Sequence, residues 1–345
     1  MTCGYKPVKH LRASILIWLV LGLVSPLFAA SFFEEDAPLE IELTGPVWSL
    51  IESKEGREEW PFGLKSEGVE LDLMLSARGN SRMRVCDFPP LKFNFKQAET
   101  AGTPFEGQDK LKLVTRCQKA DRFEIDVLEE YAAYRIFSLL SDVSYRTRLV
   151  HMTYDDTDGR LKEAFRTSYG FVIEPLDQLV SRLDGSLSEL PAVALRQLDK
   201  EQAALVYVFQ YLIANTDWSF VAAENDEYCC HNIELVKISN QHFPVPFDFD
   251  LAGLVSAAYA RPDASLRIKK VSERLYRGFC TDNETLRGAL RSITSKEEEI
   301  KSVIAGLPKM EQKLKDKRMA YLEGFFKKAR DEDKMISMFE KRCHP

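Results

Sequence analysis

The sequence predicts an α+β protein of two lobes: a sheet-rich first lobe with one main helix, then a mainly helical second lobe. Three observations carry that expectation. Between Pro38 and about Pro175, short segments alternate apolar and polar residues with period two, as half-buried strands do. Within that stretch one segment, Arg122 to Leu140, repeats its apolar residues at helical spacing. Beyond Pro175 the pattern turns helical. The expected boundaries are 1–31 for an export leader, 32–175 for the N-terminal lobe and 176–345 for the C-terminal lobe carrying the site. The chain has 345 residues, 45% hydrophobic and 11% aromatic, which excludes a disordered protein.

The leader comes first. Lys6, Lys9 and Arg12 precede an apolar run from Ala13 to Phe28, and Ala29-Ala30-Ser31 follow. Positive, apolar, small is the order of a secretory signal peptide, with the mature chain starting between about Ala30 and Phe33. An uncleaved anchor helix is the alternative, since the run approaches the ~20 residues that span a bilayer. No later stretch is long and apolar enough to span one. Without the leader, 44 basic residues face 53 acidic ones, a net charge of −9. So acidic a body argues against nucleic acid as a partner, because non-specific binding there rests on neutralising phosphates.

The strands follow in order. Leu39 to Leu43 and Val69 to Leu75 alternate. Leu91, Phe93 and Phe95 share one strand face, and Lys92, Asn94 and Lys96 share the other. Leu111 to Val114 forms a fourth strand. Leu149 to Tyr154 and Tyr169 to Ile173 complete the set around a polar turn at Asp155 to Gly159. In the second lobe Asp199 caps a buried helix reaching Ile213. Thr294 and Glu297 read as a capping box opening another helix, and Pro308 ends that run. Lys309 to Phe339 is charged, with an apolar stripe of Leu314, Tyr321, Leu322 and Phe325. A sheet lobe with one helix joined to a helical lobe is the plan of protein-kinase-like enzymes.

Loss of Cys3 with the leader leaves six cysteines, an even number that suits an oxidising compartment, periplasmic or extracellular. Six allow 15 pairings. Cys86 with Cys117, which flank two strands, is the first expectation. One of Cys229 or Cys230 with Cys280 is the second. A zinc site is disfavoured, because there is no CxxC pair and only His231 stands near a cysteine cluster.

The sequence lacks GxxxxGK[ST], GxSxG, HExxH and GxGxxG, and its five histidines are too scattered for a hydrolase triad. What remains is a polar series in the second lobe. Asn215-Thr216-Asp217-Trp218 follows the buried helix, His231-Asn232 opens a strand, and Phe247-Asp248-Phe249-Asp250 sets two acids on alternate positions of an extended segment. Acid, asparagine, acid is the order that phosphoryl transfer uses. The first acid orients the attacking hydroxyl, while the asparagine and second acid hold Mg²⁺ against the phosphates. The alternative is structural: Asp217 caps a turn, Asn232 satisfies backbone, and Asp248 or Asp250 pairs with an arginine.

Arg78-Gly79-Asn80-Ser81 followed by Pro90-Leu91-Lys92-Phe93 resembles the opening motif of the spore-coat CotH kinase-like family. Val127 to Arg135, Tyr169 to Glu174 and Phe247 to Asp250 are similar to its first helix, hinge strand and metal motif. The resemblance implies a two-lobed protein-kinase-like fold and roles for single residues. Asp217 would be the hydroxyl-orienting acid, and Asn232, Asp248 and Asp250 the metal ligands. Lys92 would reach the phosphates, with Lys96 as substitute, and pair with Glu130 or, failing that, Glu129. Backbone groups at Gly79 and Asn80 would cradle phosphate oxygens, and Glu174 would lie beside the adenine. Three departures are visible: 15 positions separate Asp217 from Asn232, Trp218 stands where a basic residue is usual, and Asn94 aligns with a lysine.

The function expected is that of an exported, kinase-like phosphotransferase using ATP with Mg²⁺ or Mn²⁺ and acting on a protein or other hydroxyl acceptor of the cell envelope. The alternative is a catalytically inactive envelope protein of the same fold that acts as a binding module.

Overall fold

Strand β1 (Leu39–Gly45) buries Leu39, Ile41 and Leu43 and exposes Glu40 and Glu42, as its alternation dictates. The structure is a computed structural model and describes residues 1–2, 32–221 and 229–344. The leader expected over 1–31 therefore lies outside the described residues, apart from its first two. Helix α1 (Val47–Glu52), strands β2 (Trp60–Ser66) and β3 (Val69–Ala77), the short helix α2 (Ser81–Val85), and strands β4 (Leu91–Phe95) and β5 (Lys110–Val114) come next. Helix α3 (Arg122–Leu140) and strands β6 (Thr147–Asp156) and β7 (Thr167–Ile173) follow.

These seven strands pair in the order β1-β2-β3-β4-β5-β7-β6 and close into a barrel. The closing pair, β1 with β6, is parallel, in register from Leu39↔Val150 to Gly45↔Asp156. The other neighbours are antiparallel. This corrects the two-lobed protein-kinase-like fold expected above. The chain remains α+β, but its first part is a closed barrel with one parallel pair and not the antiparallel sheet of that plan. The cause is non-local. β1 finds a partner on each side, in β2 and β6, so no edge is left, and apolar alternation along one strand is the same in an open sheet as in a barrel. β2 carries no strand signal, since Pro61 and Gly63 read as breakers. Pairing with β1 and β3 overrides that local preference. Inside the barrel Leu39, Leu75, Phe93, Leu111 and Val150 are fully buried. Phe32 and Phe33 join that core, with Phe32 against Phe105 at 5.5 Å between ring centres.

The second part holds α4 (Leu176–Arg182), β8 (Ser186–Leu187), α5 (Lys200–Ile213), β9 (Ile233–Ile238) and β10 (Gln241–Pro246), then α6 (Asn283–Thr294), α7 (Glu297–Ala305), α8 (Gln312–Ala329) and α9 (Glu332–Glu340). β10, β9 and β8 form a small antiparallel sheet. Asp199 caps α5 as expected, its carboxylate accepting from the N–H of Gln202 at 2.8 Å. Thr294 does not open a helix: it ends α6, and α7 starts at Glu297 without a side-chain cap. Helix α3 is the shared element. It lies outside the barrel on β7, Tyr134 contacting Phe171, while Tyr134 and Phe137 reach Phe249 and Phe209 of the helical part. Such a helix is buried nearly all round, four acids included, so neither Glu129 nor Glu130 sits on an exposed face. Among the described residues no helix is long and apolar enough to cross a membrane.

The six cysteines of the described chain stand in three pairs. Cys86–Cys117 is the first expected pair. Cys280 pairs with Cys343, not with Cys229 or Cys230, which are joined to each other. The cause is again tertiary: the segment after α9 returns beside Cys280, whose N–H donates to the carbonyl of His344.

Candidate functional site

Three turns build the site, and two non-glycine residues in them take left-handed backbone. Strand β3 ends at Ala77, and after Arg78 the chain reverses through Gly79, φ 97°, a conformation that only glycine adopts without strain. Arg57 steadies this turn, its guanidinium donating to the Gly79 carbonyl at 2.8 Å and to Asn80 Oδ1 at 3.1 Å. In the helical part Asn232 and Asp248 have φ of 55° and 58°, a region that asparagine and aspartate tolerate best among non-glycine residues. The N–H of Phe247 donates to the carbonyl of Asn232 at 3.1 Å, and the N–H of Asp248 donates to the Tyr134 hydroxyl at 2.9 Å. The expected asparagine and acid are thereby fixed side by side, against α3.

A cleft opens between these turns, lined by Arg78, Gly79, Asn80, Lys112, Glu130 and Asp248 among others. Its enclosed volume is about 90 Å³. That is below the 300–1,000 Å³ usual for whole small-molecule sites and suits a phosphate chain better than a complete nucleotide. Arg78 and Lys112 make no side-chain hydrogen bond or ion pair with the described residues. Burial lowers the pKa of both; Asp248 opposes the shift in each case, and Arg78 adds to it at Lys112. Asp248 lines the cleft, is exposed to solvent, and its carboxylate makes no hydrogen bond or ion pair with the described residues. Desolvation, and then the charge of Asp250, raise its pKa to about 6. Glu234 lines the cleft as well and supports the charge of Lys112 ahead of Asp248, so two cations without a side-chain hydrogen bond or ion pair among the described residues share the cleft with Glu130, Glu234 and Asp248.

Asp217 is not among the residues that line this cleft, but its charge acts on Asp248 and helps to raise that carboxyl's pKa. Its N–H donates to Asn215 Oδ1 at 3.0 Å, which closes the turn after α5. Asn232 Nδ2 donates to Asp217 Oδ2 at 2.9 Å and to its backbone carbonyl at 2.7 Å, and His231 Nε2 lies 3.0 Å from Oδ1. Sequence separation had hidden this. The 15 positions between Asp217 and Asn232 include 222–228, outside the described residues, yet the two side chains meet. Trp218, where a basic residue was expected, is buried and stacked on Tyr207. The positive charge near Asp217 comes from Arg277, whose guanidinium donates to the Thr216 carbonyl and whose pKa Asp217 helps to hold up against burial.

Other expected site residues lie elsewhere or are otherwise engaged. Lys92 does not pair with Glu130 or Glu129: its Nζ stands 3.8 Å from Glu59, which also takes the Asn94 amide. Lys96 pairs with Glu99 at 3.2 Å. Glu130 is fully buried beside Arg82, and Arg82 also donates to Asp250 at 3.1 Å. Burial raises the pKa of Glu130, with Arg82 opposing. Tyr259 gives Asp250 a second hydrogen bond, at 2.9 Å. Asp250 is therefore held by protein groups, the structural alternative weighed above for one of the two acids. Glu174 is buried too, bidentate to Arg182 with both distances 2.8 Å, and its N–H donates to the Arg146 carbonyl.

Lys112 and Arg82 were missed. Lys112 faces Lys92 across the β4–β5 ladder and so shares its side of the sheet. The available signal was position: β5 is the strand that leads directly into α3, the helix bearing Glu130. Arg82 gave no signal, because its partners lie 48 and 168 positions away.

No group of three or more histidine, cysteine or acidic side chains able to hold a metal occurs among the described residues. A Mg²⁺ ion, however, takes much of its coordination from phosphates and water and needs only one or two carboxylates. The partnerless carboxylate of Asp248 and the side-chain oxygen of Asn232 fit that smaller requirement.

No family model and no curated protein matches the sequence. Among solved structures the chain is similar to the proinflammatory kinase CtkA of Helicobacter pylori, at 12% identity over 82% of this chain and 90% of that one, with a TM-score of 0.37.

Proposed function

We propose that the protein transfers a phosphoryl group from ATP, with Mg²⁺ or Mn²⁺, to a hydroxyl-bearing acceptor in an exported, oxidising compartment. One observation carries the reading: Arg78 and Lys112, neither in an ion pair among the described residues, line a phosphate-sized cleft together with Asp248, on which the charge of Asp217 acts. Cations kept in a partly desolvated cleft without an ion pair are matched by phosphate oxygens. The divalent ion would neutralise charge on the β- and γ-phosphates, with Asp248 and Asn232 as its protein ligands. Arg78, Lys112 and backbone at Gly79 and Asn80 would hold the phosphate chain, leaving base and sugar in the open mouth. Asp217 would orient the acceptor hydroxyl. Its oxygens already accept from Asn232 and contact His231, but a carboxylate has about four lone-pair sites and retains room for one more donor. The paired cysteines and the leader support export, and the acceptor, a protein or a smaller hydroxyl compound, belongs to the cell envelope.

The test is thermal stability of the mature chain with ATP and Mg²⁺ against ATP and chelator, together with transfer from labelled ATP. Ligand at 100 times its dissociation constant adds about 2.7 kcal/mol. Asp248→Asn should abolish the metal-dependent part and leave the fold intact. Asp217→Ala should bind ATP nearly as well and transfer phosphate at least about a hundredfold more slowly. Absence of any metal-dependent stabilisation by ATP overturns the proposal. Nucleotide binding without transfer to any acceptor selects the second reading, a non-catalytic binding module, which the engagement of both Asp217 oxygens favours.

A further inference from the structure

A second cavity, sharing no lining residue with the cleft, lies where α8 meets α9. It encloses about 640 Å³, within the range of small-molecule sites. Five cations line it, Arg274, Lys327, Lys328, Lys334 and Arg342, against one acid, Asp331. None of the five makes an ion pair among the described residues, whereas neighbouring Arg287, Arg291 and Lys301 are all paired. The carboxylate of Asp331 is occupied locally, capping α9 through the N–H of Lys334. Arg274 differs from the exposed lysines around it. Its guanidinium is fixed by the Leu212 carbonyl at 3.0 Å and the Tyr321 carbonyl at 2.7 Å, and lies 4.1 Å from the centre of the Tyr321 ring. Its Nη1 makes no hydrogen bond. Glycine at 324 leaves that edge open, since a Cβ there would stand 3.8 Å from Nη1. The remaining walls are apolar: Tyr211 and Met335, both buried, and Met338, half-buried.

We infer that this cavity binds a phosphate-bearing amphiphile, the phosphate on Arg274, Lys334 and Arg342 and the apolar arm against Met335 and Met338. Like charges gathered around one cavity repel one another and focus a positive potential on it, which a multiply charged anion relieves. Guanidinium forks match phosphate oxygens, and unbranched, polarisable methionine adapts to an alkyl or aryl chain. The phosphate can belong to a free phosphate ester or to a lipid headgroup, two sources with the same chemistry.

Hexyl phosphate, inorganic phosphate and hexanol are the probes, titrated into the mature chain by calorimetry and by NMR of ¹³C-methyl methionine. Hexyl phosphate should bind with one-to-one stoichiometry, at least tenfold more tightly than inorganic phosphate, and shift the Met335 and Met338 methyl signals. Lys334→Glu with Arg342→Glu, both exposed, should weaken it at least tenfold without lowering the melting temperature, and Gly324→Leu should weaken it by crowding the entry. Lys112→Ala, in the other cleft, should leave it unchanged. Co-flotation with phosphatidylglycerol but not phosphatidylcholine vesicles identifies the headgroup as the source. Binding of hexyl phosphate without flotation identifies a free ester. Equal affinity for hexyl phosphate and inorganic phosphate, or indifference to the charge reversals, overturns the inference.

Discussion

Arg82 Nε lies 3.1 Å from Asp250 Oδ2, so the second acid of the alternating pair is tied to the short helix α2, 168 positions earlier in the chain. The same guanidinium holds Glu130 of α3, and all three side chains are buried. One arginine therefore joins barrel, helix and helical part. It also sorts the two acids: Asp250 belongs to the scaffold, and Asp248 is left to face the cleft.

Removing Arg82 should consequently damage the fold before it damages binding. Arg82→Met leaves two carboxylates buried without their partner, and breaking a buried pair in this way costs about 3–5 kcal/mol. Urea unfolding measures it. A loss below about 1 kcal/mol would show that the carboxylates take up protons or water at little cost.

Lys112 and Lys92 should separate cleanly. Lys112→Met should remove most ATP binding and change stability by no more than about 0.5 kcal/mol, because the residue is exposed and makes no ion pair among the described residues. Lys92→Met should leave ATP binding intact, since that lysine sits by Glu59. Fluorescent-nucleotide titration of both variants decides between them, and the reverse pattern would restore Lys92 to the phosphates.

Reduction should act through two long loops. Cys86 and Cys117 are 31 positions apart, and Cys280 and Cys343 are 63 apart. In the chain-entropy model loops of these lengths contribute about 3–4 and about 4 kcal/mol. Cys280→Ser with Cys343→Ser should lower stability by roughly that amount. Mass mapping of an unreduced digest should find Cys280 linked to Cys343, and a peptide joining Cys280 to Cys229 or Cys230 would refute the pairing.

Asp126 supplies a pH dependence. Burial, opposed by Arg122, raises its pKa from 3.8 to about 7. An acid whose folded pKa is raised binds its proton more tightly in the folded state. Its effect on stability therefore worsens as pH rises from about 4 to about 7, and levels off above that. Asn in its place cannot titrate. The stability of the parent relative to Asp126→Asn should fall between pH 5 and pH 8, measured by urea unfolding, and a difference constant over that range would place the Asp126 titration outside it.

Local signals sufficed where the physics is local. The span of α3, the Asp199 cap, the faces of β1 and β4, and Asp217, Asn232 and Asp248 as an ordered polar series all follow from side-chain period, capping chemistry and hydrophobic context. Neighbouring residues along one element set these, so the chain alone determined them. What only the tertiary structure decided is pairing between distant segments. The parallel β1–β6 register closes a barrel where a two-lobed kinase-like sheet was expected. The return of the C-terminal segment gives Cys343 to Cys280. Arg82 reaches Glu130 and Asp250, which separates a scaffold acid from a cleft acid, and Lys112, rather than its cross-strand partner Lys92, lines the cleft. An ion pair or a strand neighbour depends on which groups the finished core brings within a few ångströms, and nothing in the local alternation of residues records that distance.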